Sequence, residues 1–212
     1  MRLSLDCKAI LNIGEFSRGG KSRQKQQALD HDFAPSDKLT PFGILEPSTG
    51  KSYIWMTKSP ATSDFMVDCI EDLIDQYLAL NPAIIRFVIN SDNGSECSGR
   101  RTQWLKRIDE LSSKKKVTIQ LAYYPPYHSK YNPVERLWGI LENHWNGEII
   151  NSCKKALGLA RTMIYKGISP VVTLVRKAYP KGVSVCKKEM LHIEKNLIRE
   201  PGLEKWFITV KP

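Results

Sequence analysis

Long hydrophobic runs are missing from this sequence of 212 residues. Nowhere do about 18 apolar residues follow one another, so no membrane-spanning helix is expected. No CxxC pair occurs, and the five cysteines (Cys7, Cys69, Cys97, Cys153 and Cys186) are odd in number and widely scattered. That argues for reduced thiols in a cytosolic compartment. The histidines, His31, His128, His144 and His192, form no zinc-spaced cluster. The opening residues, Met1 to Asp6, hold no apolar stretch leading to a small-residue cleavage site, so no secretory signal is expected. No repeat recurs at a fixed period. Acidic residues are in deficit: 22 Asp and Glu stand against 32 Lys and Arg, a net charge of +10 and a pI of about 9.4. Such a balance suits a polyanionic partner, nucleic acid being the commonest, although a plain solvated basic surface has the same composition. What remains is ordinary for a globular protein, with 42% hydrophobic and 25% charged residues. The length allows one sizeable core, or one core and a small appendage.

Strand patterns come first. Leu3 and Leu5 alternate on one face, and Ile10, Leu11 and Ile13 follow. Residues 17–25 (Ser-Arg-Gly-Gly-Lys-Ser-Arg-Gln-Lys) read as a polar, basic loop. Residues 40–45 and 52–56 flank Pro47, Ser48, Thr49 and Gly50, a turn signal, and so form a hairpin. The period then changes. Ser63 is the expected N-cap of a helix carrying Met66, Ile70, Leu73 and Tyr77, which Asn81 and Pro82 stop. Residues 84–89, almost continuously apolar, suit a strand buried on both faces and ending in a polar turn at Asp92. A second helix is expected over residues 101–114, with Trp104, Leu105, Ile108 and Leu111 inward. A short strand over 117–121 follows, then a Tyr- and Pro-rich stretch from Tyr123 to Tyr127 that cannot be regular structure. Asn132 and Pro133 open a third helix, whose apolar stripe is Val134, Leu137, Trp138, Leu141 and Trp145.

Strands followed by β-α-β-α-β-α describe an α/β protein. Three antiparallel strands and two parallel ones would make a ribonuclease-H-like mixed five-stranded sheet flanked by helices. The expected division is a catalytic domain over residues 1–150 and a helical C-terminal extension over 151–212, with helical patterns at 154–166 and 187–199.

Three carboxylates sit at the ends of expected elements: Asp6 after the first strand positions, Asp92 after the most hydrophobic strand, and Glu135 in a helical first turn. In α/β sheets, functional groups gather beyond the carboxyl ends of strands. Hard divalent cations take oxygen ligands, and two such ions can clamp an in-line phosphoryl transfer. Each residue also has a plainer reading. Asp6 can be an ordinary polar residue, Asp92 a turn residue, and Glu135 a carboxylate that stabilises a helix N-terminus.

The segment 123–139 (Tyr-Tyr-Pro-Pro-Tyr-His-Ser-Lys-Tyr-Asn-Pro-Val-Glu-Arg-Leu-Trp-Gly) resembles the third-carboxylate motif of DDE transposases, a group related to the mariner and Tc elements. Residues 13–20, 30–33, 89–94 and 201–207 extend that likeness. With Asp6 they make the whole chain similar to the ISAzo-thirteen family of insertion-sequence transposases. The resemblance implies a transposase catalytic domain that cleaves DNA at insertion-sequence ends and joins it to a target by phosphoryl transfer. Asp6, Asp92 and Glu135 match the family's metal-binding catalytic carboxylates, with two Mg²⁺ (or Mn²⁺) as cofactors. DNA, both element ends and target, is the implied partner, with a homo-oligomer, a nucleoid-associated location and no membrane. Such transposases carry an N-terminal helix-turn-helix region. Because Asp6 is the sixth residue, that domain is expected to be absent here.

Candidate DNA contacts are Arg18, Lys21, Arg23 and Lys25 in the basic loop, Arg100 and Arg101 with Lys106 and Arg107 beyond them, and Tyr127, His128 and Lys130 before the third helix. Tyr124 and Tyr131 are stacking candidates or loop packing, and His128 can equally be a surface histidine. Lys114, Lys115 and Lys116 read as a solvated helix end. Trp138 and Trp145 read as core, and Asp30 and Asp32 form an alternative carboxylate pair. Two other activities stay open. One is a truncated, non-catalytic DNA-binding or dimerising remnant that regulates a full-length transposase. The other is a stand-alone ribonuclease.

Overall fold

The computed structural model describes residues 1–22, 27–28, 34–125, 128 and 131–212. Among them the chain forms nine strands and five α-helices. It divides into two compact units that interleave along the sequence. The first comprises Met1–Leu5, Pro60–Asn132 and Tyr179–Pro212, and the second Asp6–Ser59 and Pro133–Ala178. The division therefore does not fall at residue 150, and the first strand, β1 (Arg2–Cys7), runs from one unit into the next.

In the first unit β1 pairs in parallel with β5 (Arg86–Ser91), and β5 in parallel with β6 (Thr118–Tyr123). The antiparallel strands β9 (Phe207–Val210) and β8 (Leu197–Arg199) complete the order β1-β5-β6-β9-β8. The parallel strands need crossovers, and helices α1 (Ser63–Leu80) and α2 (Thr102–Lys115) supply them. Helix α1 is capped by Thr62, whose hydroxyl accepts from Phe65 N at 3.4 Å, and Asp64 occupies the favourable first turn. The expected cap, Ser63, is instead the first helical residue. Its Oγ donates to the Glu96 carbonyl. Trp104, Leu105, Ile108 and Leu111 of α2 are all buried, as their spacing requires. Strand β5 departs from expectation. It starts at Arg86, alternates between buried and half-buried residues, and leaves Ile85 75% exposed. A strand clothed on one face needs only alternate apolar side chains, so the continuous run overstated its burial.

The second unit holds the hairpin of β3 (Asp37–Leu45) and β4 (Ser52–Thr57), with β2 (Leu11–Ile13) antiparallel to β3 and β7 (Val171–Val175) parallel to β4. Gly50 closes the hairpin turn at φ +81° and donates its N–H to the Glu46 carbonyl at 2.8 Å. Helices α3 (Pro133–His144) and α4 (Cys153–Thr162) cover this sheet. Val134, Leu137, Trp138, Leu141 and Trp145 enter one core with Leu39, Ile54 and Met56.

Beyond residue 150 the chain carries three strands as well as two helices. The pattern at 154–166 becomes α4. That at 187–199 becomes the short α5 (Lys187–Ile193), a 3₁₀ turn over Glu194–Asn196, and β8. No helix is long and apolar enough to cross a membrane among the described residues.

Candidate active site

Asp6 is the fifth residue of β1, and its Oδ2 accepts a hydrogen bond from Trp138 Nε1 at 2.8 Å. Trp138 lies one turn along α3 from Glu135, the third residue of that helix, and positions three apart share a helix face. The second unit thus brings Asp6 to the helix turn that presents Glu135. Gly43 of β3 lies against the six-membered part of the Trp138 ring. A Cβ added there would lie 2.5 Å from Trp138 Cη2.

Asp92 belongs to the first unit, immediately after β5. Gly94 passes close beneath it, since a Cβ there would stand 3.2 Å from Asp92 Oδ1. The buried thiol of Cys97 lies 3.7 Å from the Asp92 carbonyl oxygen and 3.9 Å from Oδ1. Asn93 Oδ1 accepts from Gly99 N at 3.1 Å, which ties the loop into α2's approach. In the same unit Asn132, fully buried, donates Nδ2 to the Leu5 carbonyl at 3.0 Å and accepts from Ser4 Oγ. Leu5 and Asp6 are adjacent along the chain, and Glu135 is the third residue after Asn132.

The candidate DNA contacts divide by their partners. Arg18 is turned inward: its Nη2 meets both oxygens of Glu142 at 3.0 Å, and its guanidinium lies 5.2 Å from the Trp145 ring centroid. Lys8 joins the same carboxylate at 2.6 Å, and Trp145 Nε1 donates to it at 2.6 Å. Burial works to raise the Glu142 carboxyl, but these hydrogen bonds and cations hold it below the ordinary carboxylate range. Lys21 is exposed and makes no ion pair among the described residues. The backbone around it is fixed by glycines. Gly147 N donates to the Gly19 carbonyl at 2.8 Å, and a Cβ at Gly147 would stand 2.5 Å from the Lys21 carbonyl.

In the first unit Arg101 bonds the Val183 carbonyl at 3.3 Å, Lys106 pairs with Glu189 at 2.8 Å, and Arg107 bridges Asp64 and Asp68 at 2.7 and 2.8 Å. Arg100 is exposed and has no ion pair among the described residues. His128 stacks on Tyr131, with ring centroids 5.7 Å apart. The triple lysine is not simply solvated: Lys114 pairs with Glu71 at 2.6 Å and Lys115 with Asp75 at 2.6 Å. Arg23, Lys25, Tyr127 and Lys130, with Asp30 and Asp32, lie outside the described residues.

Reading the sequence missed three supports: the Trp138 N–H on Asp6, the Asn132 amide on β1, and the Cys97 thiol beside Asp92. A buried indole always needs an acceptor, and that was the available signal for Trp138. Among the described residues no three His, Cys, Asp or Glu side chains form a ready-made metal group. Asp6, Asp92 and Glu135 each offer carboxylate oxygens, the donor type that a hard cation takes.

The fold is similar to that of the Mos1 transposase in its paired-end complex with the left transposon end. The TM-score is 0.51 at 11% sequence identity, over 73% of this chain and 44% of that one. The likeness is one of architecture, a ribonuclease-H-like fold with a mixed sheet and flanking helices. This chain spans less than half the length of that transposase. No curated protein matches it. The model of the Rhodopirellula transposase DDE domain matches residues 1–212, and the chain belongs to that family.

Proposed function

We propose that this chain performs the metal-dependent cleavage and strand transfer of a DDE transposase at insertion-sequence ends, with Asp6, Asp92 and Glu135 as its catalytic carboxylates. The observation that carries the reading is the Trp138–Asp6 hydrogen bond of 2.8 Å, which joins the first carboxylate to the helix turn bearing the third.

The chemistry consists of two phosphoryl transfers. In the first, a water oxygen bonds to the phosphorus at the element's end and the P–O3′ bond breaks, leaving a 3′-hydroxyl and a 5′-phosphate. In the second, that 3′-oxygen bonds to a target phosphorus, and the target strand's own 3′-oxygen leaves. No covalent link to the protein forms, so the chain's work is positioning and electrostatics. Mg²⁺ or Mn²⁺, when bound, would polarise the attacking and leaving oxygens. Asp6, Asp92 and Glu135 would hold it, one or two at a time, with water and phosphate oxygens completing the shell. Of the candidate DNA contacts among the described residues, Lys21 and Arg100 are exposed cations suited to the DNA backbone.

The test compares the purified chain with Glu135→Gln on labelled DNA in Mg²⁺ or Mn²⁺. Metal-dependent nicking by the parent alone is expected. Salt-dependent DNA binding with no nicking by either protein would replace this reading with that of a non-catalytic remnant. Cleavage of RNA–DNA hybrid in preference to DNA would replace it with a ribonuclease.

A further inference from the structure

We infer that Trp138 is a positioning residue for Asp6 and that Gly43 exists to admit its ring. The inference rests on the assignment of Asp6 as a metal-binding carboxylate. Trp138 is 7% exposed, so its N–H cannot rely on water and must find an acceptor within the protein. It takes a carboxylate oxygen at 2.8 Å. The other indole associated with α3 makes the comparison. Trp145 also donates to a carboxylate, that of Glu142, but Glu142 is already satisfied by Lys8 and Arg18. Asp6 Oδ2, by contrast, is oriented by a neutral donor, the Trp138 N–H.

Gly43 supplies the second half of the argument. It lies in the middle of β3, opposite Ile54 of β4, where glycine weakens a strand. Its φ lies outside the positive range, so no turn requires it. An added Cβ would stand 2.5 Å from Trp138 Cη2, 2.6 Å from Cζ2 and 3.3 Å from Val134 Cγ2. A glycine inside a strand marks a close approach, and here the approaching group is the Trp138 ring. The strand gives up a side chain where the indole that reaches Asp6 passes.

A hydrogen bond from a ring packed against Gly43 fixes the carboxylate before any ion arrives. Partners of metal ligands that act this way typically alter metal affinity roughly 10–100-fold when removed. A packing role alone predicts instead that Trp138→Phe and Trp145→Phe behave alike, since each keeps a six-membered ring and loses one N–H bound to a carboxylate.

The experiment measures Mn²⁺ binding by electron paramagnetic resonance in the parent, Trp138→Phe, Trp145→Phe, Gly43→Ala and Asp6→Asn, with folding followed by circular dichroism. Trp138→Phe is expected to weaken Mn²⁺ binding roughly 10–100-fold and Trp145→Phe to leave it unchanged. Gly43→Ala, which keeps the N–H but displaces the ring, is expected to weaken binding too, and it serves as the second variant if Trp138→Phe does not fold. In the parent, the indole ¹⁵N–¹H signal of Trp138 is expected to shift with Mg²⁺, and in Asp6→Asn to stay still. Parental Mn²⁺ affinity in a folded Trp138→Phe overturns the inference and leaves the transposase reading standing. No Mn²⁺ binding by the parent, or unchanged binding in Asp6→Asn, overturns the role of Asp6 and the inference with it. Weakened binding in Trp138→Phe alongside a parent that never nicks DNA upholds the inference and sinks the proposed activity.

Discussion

Arg18 donates through Nη2 to both carboxylate oxygens of Glu142, at 3.0 Å each, while its guanidinium lies 5.2 Å from the centre of the Trp145 ring. A cation engaged on two sides is a poor reader of phosphate. Lys21, three residues on, has no such partner among the described residues. Arg18→Ala is therefore expected to lower stability by about 1–2 kcal/mol, the sum of a charged hydrogen bond and a cation–π contact. Lys21→Ala is expected to leave stability within about 0.5 kcal/mol and to reduce the salt dependence of DNA binding by about one counterion. Urea unfolding and a salt titration of DNA affinity separate the two. A reduced salt slope in Arg18→Ala with unchanged stability would reverse the assignment.

Glu142 also makes the fold sensitive to acid. Burial opposes its charge, but Lys8, the Trp145 N–H and Arg18 more than offset this and depress the carboxyl. A depressed carboxyl contributes stability that is complete above the unfolded value of about 4.3 and disappears as pH falls through the folded value. Between pH 5.5 and 3.5 the parent is thus expected to lose stability more steeply than Glu142→Gln. Urea midpoints at the two pH values test this. Asp37, Glu71 and Glu204 are depressed as well, but they titrate alike in both proteins and cancel in the comparison. Parallel losses would show that Glu142 is not the sensitive group.

How far the sequence was readable follows from the range of the interactions involved. Glu135 and the stripe of Val134, Leu137, Trp138 and Leu141 were visible because a helix repeats within seven residues. The β3–β4 hairpin was visible because Pro47 to Gly50 is a local turn signal. The partners of Arg18 and Asp6 were not, because Glu142 lies 124 residues from the first and Trp138 lies 132 from the second. Nothing local distinguishes a paired arginine from one awaiting phosphate. The strand β8 was read as helix because Leu197 to Arg199 follows α5 without a glycine or proline, and pairing with β9 decides its state.

Ile85 and Phe87 test the corrected reading of β5. Both belong to one apolar run, yet Ile85 is 75% exposed and Phe87 fully buried. Ile85→Lys is expected to change stability by no more than about 0.5 kcal/mol, the usual range for surface sites. Phe87→Ala, which opens a cavity, is expected to cost about 3–5 kcal/mol. A loss above about 2 kcal/mol in Ile85→Lys would restore the picture of a strand covered on both faces.

Asn132 links stability to the site. Its amide is fully buried and spans two functions, donating to the Leu5 carbonyl at 3.0 Å and accepting from the Ser4 hydroxyl. Asn132→Ala deprives the Leu5 carbonyl of this donor, and an unsatisfied buried acceptor costs about 1–3 kcal/mol. Asn132→Asp can still accept from Ser4 but can no longer donate to Leu5, and it places a charge in a dry position. Asn132→Asp is therefore expected to be at least as destabilising as Asn132→Ala, although it is the closer match in shape. If shape alone mattered, the order would be the opposite. Urea unfolding of both variants at pH 7 decides between donor and shape, and an aspartate variant as stable as the parent would remove Asn132 from the account.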